Sequence, residues 1–438
     1  MEYIPNTPQE ASAMARRIGA DSLEDLYADV PQNVRCARPL AVGEGMSELA
    51  LVRELKRIAA KNRVYDTIFM GAGAYAHFIP AAVDNLSARN EFVTAYTPYQ
   101  AEMSQGILQS IFEFQTMICE LTGMDVSNAS VYDGASAAGE ACLMVRDRKR
   151  SRMLVSAAAH PQVIQTMRTY AVPAGMEFEI VPEKDGATDM DVLKTMLDET
   201  VAGVFLSSPN YYGIIEDAAA VSGLAHEAGA KCILGVNPFA AVLLHSAAEL
   251  GADIAVGEGQ PLGIPLSFGG PYLGFMACSK ALMRKLPGRI VGETVDDAGR
   301  RAFVLTLQAR EQHIRREKAG SNICSNQAWC ALRSAIYMSL MGSCGMREVA
   351  EQCYANTHYL RDELKKAGFE PVYGKEFFHE FVTKSPIEPR RLQEVLDRKN
   401  ILGGLDIGGG NILWCATELT GKNEIDELIG AIKGAYEK

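Results

Sequence analysis

Residues 152–182, RMLVSAAAHPQVIQTMRTYAVPAGMEFEIVP, contain one complete strand–helix–strand unit. RMLVSA and MEFEIVP are short runs rich in apolar and β-branched residues, which favour strands. HPQVIQTMRTYA lies between them and has apolar residues at helical spacing. Because parallel strands need a crossover of this length, the unit predicts two parallel strands of one sheet.

The same alternation of strands and helices continues on both sides of that unit. The predicted strands are SNASVY (127–132), VAGVFLSSP (201–209), KCILGV (231–236), DIAVGE (253–258) and GFMAC (274–278). The predicted helices cover residues 104–123, 135–146, 189–200 and 218–229. Short strands that alternate with helices predict a doubly wound α/β domain with a mainly parallel sheet.

The two ends of the chain have different patterns. Residues 1–65 show helical spacing without a strand and predict an N-terminal helical arm. Residues 66–329 then form the large α/β domain. Residues 330–438 begin with a long helix and continue with strands such as NILWCATE, so they predict a small C-terminal α+β domain with an antiparallel sheet.

The composition is that of an ordinary globular protein. Of 438 residues, 48% are hydrophobic and 22% charged, which excludes a disordered chain. The 43 basic and 54 acidic residues give a net charge of −11, so neither nucleic acid nor a membrane is an expected partner. The ten cysteines form no CxxC pair, and no metal site is predicted. The start, MEYIPNTPQE, lacks an apolar signal region, so we expect a cytoplasmic protein.

Two loops that contain glycine are candidate ligand sites. SVYDGASAAGEA (130–141) combines a strand, a tight turn and a helix start, an arrangement that aims backbone N–H groups at an anion. GEGQPLGIPLSFGGPYLGF (257–275) follows a parallel strand, and open α/β sheets bind ligands at the carboxyl ends of their strands. For each loop, a purely structural role is an equally good interpretation.

Two polar segments are further candidates. YTPYQAEMSQG (96–106) offers phenols and amides that suit a small polar ligand, although packed tyrosines at a helix entry are the simpler interpretation. REQHIRREKAGSNIC (310–324) is a cationic patch in an acidic protein, and arginine favours two-point contact with carboxylate or phosphate. A solvated helix face is the alternative interpretation of the second segment.

In this order, these segments resemble the P-protein family of the glycine cleavage system, which are pyridoxal-phosphate (PLP)-dependent glycine decarboxylases. The resemblance is to the N-terminal half of that protein, which many bacteria make as a separate alpha subunit. It also includes GAGAYAHFIP (71–80) and LPGRIVG (286–292), and it covers nearly the whole chain. It implies the fold type I architecture of PLP-dependent transferases, with a large doubly wound, mainly parallel-sheet domain and a small C-terminal α+β domain.

Enzymes of this fold need a lysine that holds the cofactor aldehyde and an acid that faces the pyridine nitrogen. By position in the fold, the acid should end KCILGV, where this chain has Asn237. The lysine should follow DIAVGE, where the chain has Gly257-Glu258-Gly259. Lys231 begins the strand KCILGV, at the wrong edge of the sheet, and Lys280 lies beyond the strand GFMAC, so neither is at the expected position. The chain is therefore expected to be a degenerate PLP domain without catalytic or cofactor-binding residues of its own.

The resemblance also implies which chain supplies the cofactor and its lysine. In the two-subunit form the beta subunit carries the lysine and PLP, and alpha pairs with it, as αβ or α2β2. Alpha is then expected to lend substrate-binding residues to the partner's site, namely Tyr96, Tyr99, Gln100 and Arg315. His160 lies where related enzymes stack a side chain on the cofactor, but here we expect a structural histidine. The complex decarboxylates glycine and transfers the aminomethyl group to the lipoylated H-protein.

Two other functions compete with this interpretation. A stand-alone fold type I PLP lyase or aminotransferase would use a lysine that the motif comparison does not identify. A purely structural or regulatory pseudoenzyme would contribute no residue to the partner's site. The isolated chain binds PLP covalently only under the first alternative.

Overall fold

The structure, a computed structural model, describes residues 6–36, 38, 41–43, 45–93, 100–310, 312–319 and 327–436. The chain divides into two units, residues 1–63 and 64–438. Tyr96 and Tyr99 are outside the described residues.

The described part of the first unit contains helices and no strand, as the sequence predicts. Helix α1, Pro8–Arg17, begins at a capping box formed by Thr7. Helix α2, Glu48–Ala59, begins at Ser47, whose hydroxyl accepts a backbone N–H three residues further on. After α1 the chain forms a short 3-10 turn, Leu23–Tyr27. A segment this short has too few hydrogen bonds to offset the entropy of helix nucleation.

The second unit is built on a sheet of seven strands. In chain order they are β1 (Val126–Ser127), β2 (Arg152–Ser156), β3 (Glu177–Val181), β4 (Val201–Ser208), β5 (Lys231–Val236), β6 (Ile254–Glu258) and β7 (Gly274–Cys278). Their order in the sheet is β1-β7-β6-β5-β4-β2-β3. Strand β7 alone is antiparallel to its neighbours, so the predicted mainly parallel sheet is confirmed. The strand predicted over residues 127–132 is shorter than expected, with one isolated bridge at Val131.

Helices connect these strands and continue beyond them. The remaining helices are α3 (Ala81–Ser87), α4 (Asn90–Val93), α5 (Gln105–Thr122), α6 (Gly134–Val145), α7 (Pro161–Ala171), α8 (Met190–Met196), α9 (Ala218–Glu227), α10 (Ala240–Leu243), α11 (Gln312–Arg315), α12 (Gln327–Lys366), α13 (Pro389–Asp397) and α14 (Lys422–Tyr436). Helix α5 ends at Gly123, whose φ of +70° is the left-handed conformation that favours glycine.

The sheet is covered on both faces. Successive residues of one strand point to opposite sides, and each side has its own apolar cluster. Leu154 and Leu234 pack in one cluster with Phe114 of α5, while Met153 and Ile233 pack in the other with the alanines of α6. Two separate cores on one sheet are the doubly wound architecture predicted from the sequence.

Residues after β7 form two further sheets. A hairpin, which the sequence analysis did not predict, pairs β8 (Ile290–Val295) with β9 (Arg301–Thr306). The second sheet is antiparallel and has the order β10-β11-β13-β12, with β10 (Glu370–Pro371), β11 (Glu380–Lys384), β12 (Leu405–Gly408) and β13 (Asn411–Cys415). Short pairs also join Thr67–Ile68 to Ile401–Leu402 and Glu183–Lys184 to Ala187–Thr188.

The C-terminal sheet has its own core, as predicted for a small α+β domain. Trp414 is fully buried in it, and its indole N–H donates to the hydroxyl of Thr383 at 2.9 Å. The proposed boundary near residue 329 falls at the start of α12, a helix interrupted at Gly342, where φ is +60°. Within the described ranges, every helix is too short or too polar to cross the hydrocarbon of a bilayer.

Candidate functional site

The main cleft lies at the carboxyl ends of β4, β5 and β6. It encloses a cavity of about 290 Å³. Its lining includes Ala72, Gly73, Tyr75, Asp133, Gly134, His160, Ser207, Asn237, Gly257, Glu258 and Tyr272. Both glycine-containing loops that the sequence analysis selected therefore meet at this cleft, at the edge of the sheet where α/β folds bind ligands.

Two carboxylates of the chain itself close the amino end of α6. Asp133 accepts the N–H of Ser136 at 2.6 Å. Glu258, the last residue of β6, accepts the N–H of Gly134 at 2.9 Å. Free N–H groups at a helix start are the usual seat of a phosphate. Here those of Gly134 and Ser136 are already bonded to side chains, so the expected anion site is filled from within.

Glu258 is held by the loop that follows it as well as by the helix. Its second carboxylate oxygen accepts the N–H groups of Gln260 at 2.9 Å and Leu273 at 3.0 Å. Burial raises the pKa of Glu258 to about 7, and the three backbone donors oppose that rise. All three partners are donors, so the geometry fits an acceptor-only carboxylate. Glu258 has the contacts of a built-in anion, because all three of its hydrogen-bond partners are backbone N–H donors.

Among the residues that the structure describes, no lysine lies where the cofactor aldehyde would need one. A Cβ at Gly257 would lie 2.2 Å from the Phe275 ring and 2.5 Å from the carbonyl oxygen of Val236, so position 257 has no room for a side chain. Lys231 lies at the opposite end of its strand and pairs with Asp253 at 2.8 Å. Lys280 begins the 3-10 turn after β7. Both lysines are placed as the sequence predicts.

Asn237 takes the place of the acid that would face a pyridine nitrogen. Its side-chain oxygen accepts the N–H groups of Phe239 at 2.9 Å and Ala240 at 3.1 Å, so it caps the short helix α10. Its amide nitrogen lies 3.4 Å from Nε2 of His379. An amide cannot supply the negative charge that keeps a pyridinium protonated. With a filled anion seat, no lysine and no acid, the residues present do not fit PLP.

His160 is a structural histidine, as expected. Its Nδ1 accepts the N–H of Gln162 at 3.1 Å, so its Nε2 carries the proton and donates to the carbonyl oxygen of Ala72 at 2.9 Å. Burial lowers the pKa of the ring, which favours this neutral form. Both nitrogens are thus used to join the start of α7 to the segment 71–80.

The segment 71–80, GAGAYAHFIP, wraps around a buried carboxyl group. Glu380 of β11 accepts the N–H of Ala72 at 2.6 Å and the hydroxyl of Tyr75 at 2.7 Å. A Cβ at Gly71 would lie 2.5 Å from Glu380 Oε1, so only glycine fits there. The amide of Gln260 bonds both the N–H and the carbonyl of Tyr75, each at 2.9 Å. This motif therefore fixes one wall of the cleft to the C-terminal sheet.

Of the predicted substrate-binding residues, the two that the structure describes, Gln100 and Arg315, do not line this cleft. Tyr96 and Tyr99 lie outside the described residues, and Gln100 is exposed. Arg315 is also exposed, and its Nε donates to the carbonyl of Ala309 at 3.0 Å. It lines a different cavity, of about 330 Å³, together with Arg284, Lys285, Arg310 and Lys318. The prediction that these four residues serve a partner's site stays a prediction.

Sequence reasoning missed the contacts of Glu258, Glu380 and Gln260. Glu258 and Gln260 lie in the quoted segment 257–275, and Glu380 contacts the quoted segment 71–80. Their partners are 124, 308 and 185 residues away along the chain. Only the order of strands in the sheet brings such distant groups together.

The fold defines the class of protein. A sphingosine-1-phosphate lyase of Burkholderia pseudomallei aligns with a TM-score of 0.67 and 16% identity over 94% of each chain. An alanine–glyoxylate aminotransferase of Nostoc aligns with a TM-score of 0.60 and 15% identity over 86% of this chain and 96% of the other. The chain has the fold of type I PLP-dependent enzymes.

More similar proteins identify the family. The family model described as glycine cleavage system P-protein matches residues 1–432. Probable glycine dehydrogenase (decarboxylating) subunit 1 of Desulfitobacterium hafniense is 49% identical, and that of Moorella thermoacetica 48%, each over 99% of both chains. A crystal structure of an inhibitor-bound glycine decarboxylase (P-protein) aligns with a TM-score of 0.92 and 41% identity over 99% of this chain and 100% of the other. The chain belongs to the glycine cleavage system P-protein family.

Proposed function

We propose that this chain is the alpha subunit of a glycine dehydrogenase (decarboxylating), and that it acts without PLP of its own. The names of the relatives support a subunit of this enzyme, because they match over nearly the full length of both chains. The cofactor-bearing partner in this proposal is a beta subunit, and the complex decarboxylates glycine and transfers the aminomethyl group to the lipoylated H-protein.

The observation that carries the proposal is the position of Glu258. Its carboxylate bonds the amino end of α6, where a cofactor phosphate would otherwise find its N–H donors. Gly257 beside it leaves no space for a lysine side chain on the strand. A second anion at this place would meet a like charge about one hydrogen-bond length away. These features support a chain that leaves PLP to its partner.

Within the complex, this chain is proposed to complete the partner's active site. Tyr96, Tyr99 and Gln100 are the proposed contacts to the glycine-derived group, and Arg315 is a proposed contact for a carboxylate or for docking. The cationic residues around the second cavity support a role for Arg315 with an anionic group. The proposal also includes a cytoplasmic location, which the nine free cysteines of the described part support.

The test measures PLP binding by the full-length chain alone and after addition of the beta subunit. We expect no visible absorbance band from the chain with PLP, and no lysine labelled on it after borohydride treatment. The mixture should show the band, with the label on the beta subunit, and should release CO2 from glycine in the presence of lipoylated H-protein. A labelled lysine on this chain, or CO2 release without the partner, contradicts the proposal.

The role of the lent residues has its own test in the reconstituted complex. We expect Tyr99→Phe and Gln100→Ala each to lower the rate of glycine decarboxylation more than tenfold, which corresponds to about 1.4 kcal/mol in the barrier. Gln109→Ala, an exposed glutamine on the next helix, is the matched control. Equal rates for Gln100→Ala and Gln109→Ala would favour a purely structural subunit.

A further inference from the structure

A second group of polar side chains lies away from the cleft, where the segment 71–80 meets α12 and the end of β13. It consists of His77, Cys353 and Glu418, and one ligand atom of each lies within 4.8 Å of the other two. Cys353 is fully buried. The side chains of His77 and Glu418 are 1% and 9% exposed. The three residues are far apart in sequence, so no sequence motif indicates that they form a cluster.

The hydrogen bonds of this cluster converge on one oxygen. Glu418 Oε2 lies 2.7 Å from Nδ1 of His77 and 3.5 Å from Sγ of Cys353. The other oxygen, Oε1, accepts the backbone N–H of Phe78 at 2.7 Å. The carboxylate is thus held in place by the backbone through one oxygen, and it presents the other to a nitrogen and a sulfur.

The cluster also contains buried polar atoms without a partner. Nε2 of His77 and the hydroxyl of Tyr337 are buried, and neither has a hydrogen-bond partner among the described residues. The ring of Phe239 packs against His77, with the ring centroids 4.5 Å apart. Buried polar groups normally find a partner, so these atoms leave unused bonding capacity beside the cluster, and Nε2 of His77 can take the ring proton if Nδ1 binds an ion. The contrast with His160, whose two nitrogens are both paired, is direct.

We propose that His77, Cys353 and Glu418 bind one divalent cation of the zinc type. Nitrogen, thiolate and carboxylate donors together select Zn²⁺ or Co²⁺ over Mg²⁺ and Ca²⁺, which prefer oxygen ligands alone. Three protein ligands with a fourth, open position are a common arrangement for Zn²⁺. The site does not depend on the proposed role in glycine decarboxylation.

The distances are close to those that a tetrahedral ion needs. Bonds of about 2.0–2.3 Å separate the ligand atoms of Zn²⁺ by roughly 3.3–3.7 Å. The pair Cys353 Sγ and Glu418 Oε2, at 3.5 Å, already fits this range. The pair His77 Nδ1 and Glu418 Oε2, at 2.7 Å, is a hydrogen bond and must open when the ion replaces its proton.

The charges and protons of this binding step balance. The imidazole proton moves from Nδ1 to Nε2, which is free to carry it because it has no other partner. The Cys353 thiol releases its proton to solvent and binds as thiolate. The two negative ligands then neutralise the dication, so no net charge is buried.

An entry path is present. Glu418 and Phe78 line a cavity of about 350 Å³, which also contains Glu348. Glu348 is exposed, so it adds a second carboxylate along the approach. An ion can therefore reach the Glu418 carboxylate from solvent through this cavity.

The experiment measures metal binding by the purified full-length chain after removal of metals with a chelator. We expect about one equivalent of Zn²⁺ per chain after dialysis against Zn²⁺, and a thiolate-to-metal absorbance band with Co²⁺. His77→Ala and Cys353→Ser should lose both signals. Cys142→Ser is the matched control, because Cys142 is also fully buried but belongs to a different apolar cluster from Cys353.

The following outcomes support or overturn the proposed metal site. No Co²⁺ band in the unchanged chain, or an equal band in Cys353→Ser, overturns the proposal. If His77→Ala fails to fold, Glu418→Gln serves in its place, because it keeps the size and the Phe78 contact but loses the negative ligand. Weaker Zn²⁺ retention by a folded Glu418→Gln supports the site, and unchanged retention overturns it.

Discussion

The cleft at the end of the parallel strands and the His77–Cys353–Glu418 cluster both hold polar groups in the interior, but in opposite states. In the cleft, the helix-start N–H groups of Gly134 and Ser136 donate to Glu258 and Asp133, and both nitrogens of His160 are used. In the cluster, a ring nitrogen and a phenol lack partners among the described residues. The comparison teaches that position in the fold is a weaker guide to ligand binding than unmet bonding capacity.

The largest expected effect tests whether the cleft is full. Gly257→Ala should lower the free energy of unfolding by about 3 kcal/mol or more, because the new methyl group would overlap the Phe275 ring and the Val236 carbonyl in the middle of a sheet. Thermal unfolding of the full-length chain measures this. Gly106→Ala on α5, where nothing lies within 4 Å of the new Cβ, should leave the midpoint unchanged or slightly raised. Equal midpoints for the two variants would mean that the cleft can accept a side chain on β6.

The next effect tests whether Glu258 is a built-in anion. Glu258→Ala should lower the free energy of unfolding by about 2 kcal/mol, because three backbone N–H groups lose their acceptor. Inorganic phosphate should then raise the unfolding midpoint of the variant and not that of the unchanged chain, since it can bind the vacated helix start. Zn²⁺ should raise the unfolding midpoints of the unchanged chain and of Glu258→Ala equally, because its proposed site is the His77–Cys353–Glu418 cluster and not the cleft. Phosphate stabilisation of the unchanged chain would show that the anion seat is open.

The last effect depends on pH and concerns Glu380, whose carboxyl group binds the segment 71–80 that joins the two regions. Burial raises its pKa from 4.5 to about 7. Its folded pKa lies above its unfolded pKa, so the folded state binds the proton more tightly, and stability falls as the pH rises from about 4.5 through 7. The fall from this one group is at most about 3 kcal/mol.

Glu380→Gln should therefore flatten the pH dependence of the unfolding midpoint between acid and neutral pH. The exposed Glu427→Gln is the control and should keep the full slope. A slope that is the same in both variants would mean that Glu380 titrates as it does in the unfolded chain.

Much of the fold follows from local patterns. The strand from Lys231 to Val236 has the bounds that its β-branched run predicts, and α6 begins at the residue after Asp133, as a capping carboxylate requires. The hairpin of β8 and β9 was not predicted, because the exposed strand residues Glu293 and Arg301 pair across it and carry no apolar alternation. The small C-terminal sheet was predicted because its buried strand NILWC is almost entirely apolar.

Some features of the candidate site also follow from the sequence, and others follow only from the fold. The absence of a lysine after DIAVGE and the asparagine at the end of KCILGV are facts of residue identity, and they needed no coordinates. What Glu258 does with its position could not be predicted, because its partner Gly134 belongs to a helix that reaches it only through the strand order β1-β7-β6.

Residue types and their periodicity were enough for the alternating architecture, the family and the absence of a lysine directly after DIAVGE, because both are local properties. The tertiary structure alone decided which buried groups satisfy one another. Glu258 fills a helix start 124 residues away, whereas His77 meets a carboxylate 341 residues away and keeps a free nitrogen. Hydrogen bonding depends on distances of a few ångströms between groups that the chain itself places far apart, and only packing sets those distances.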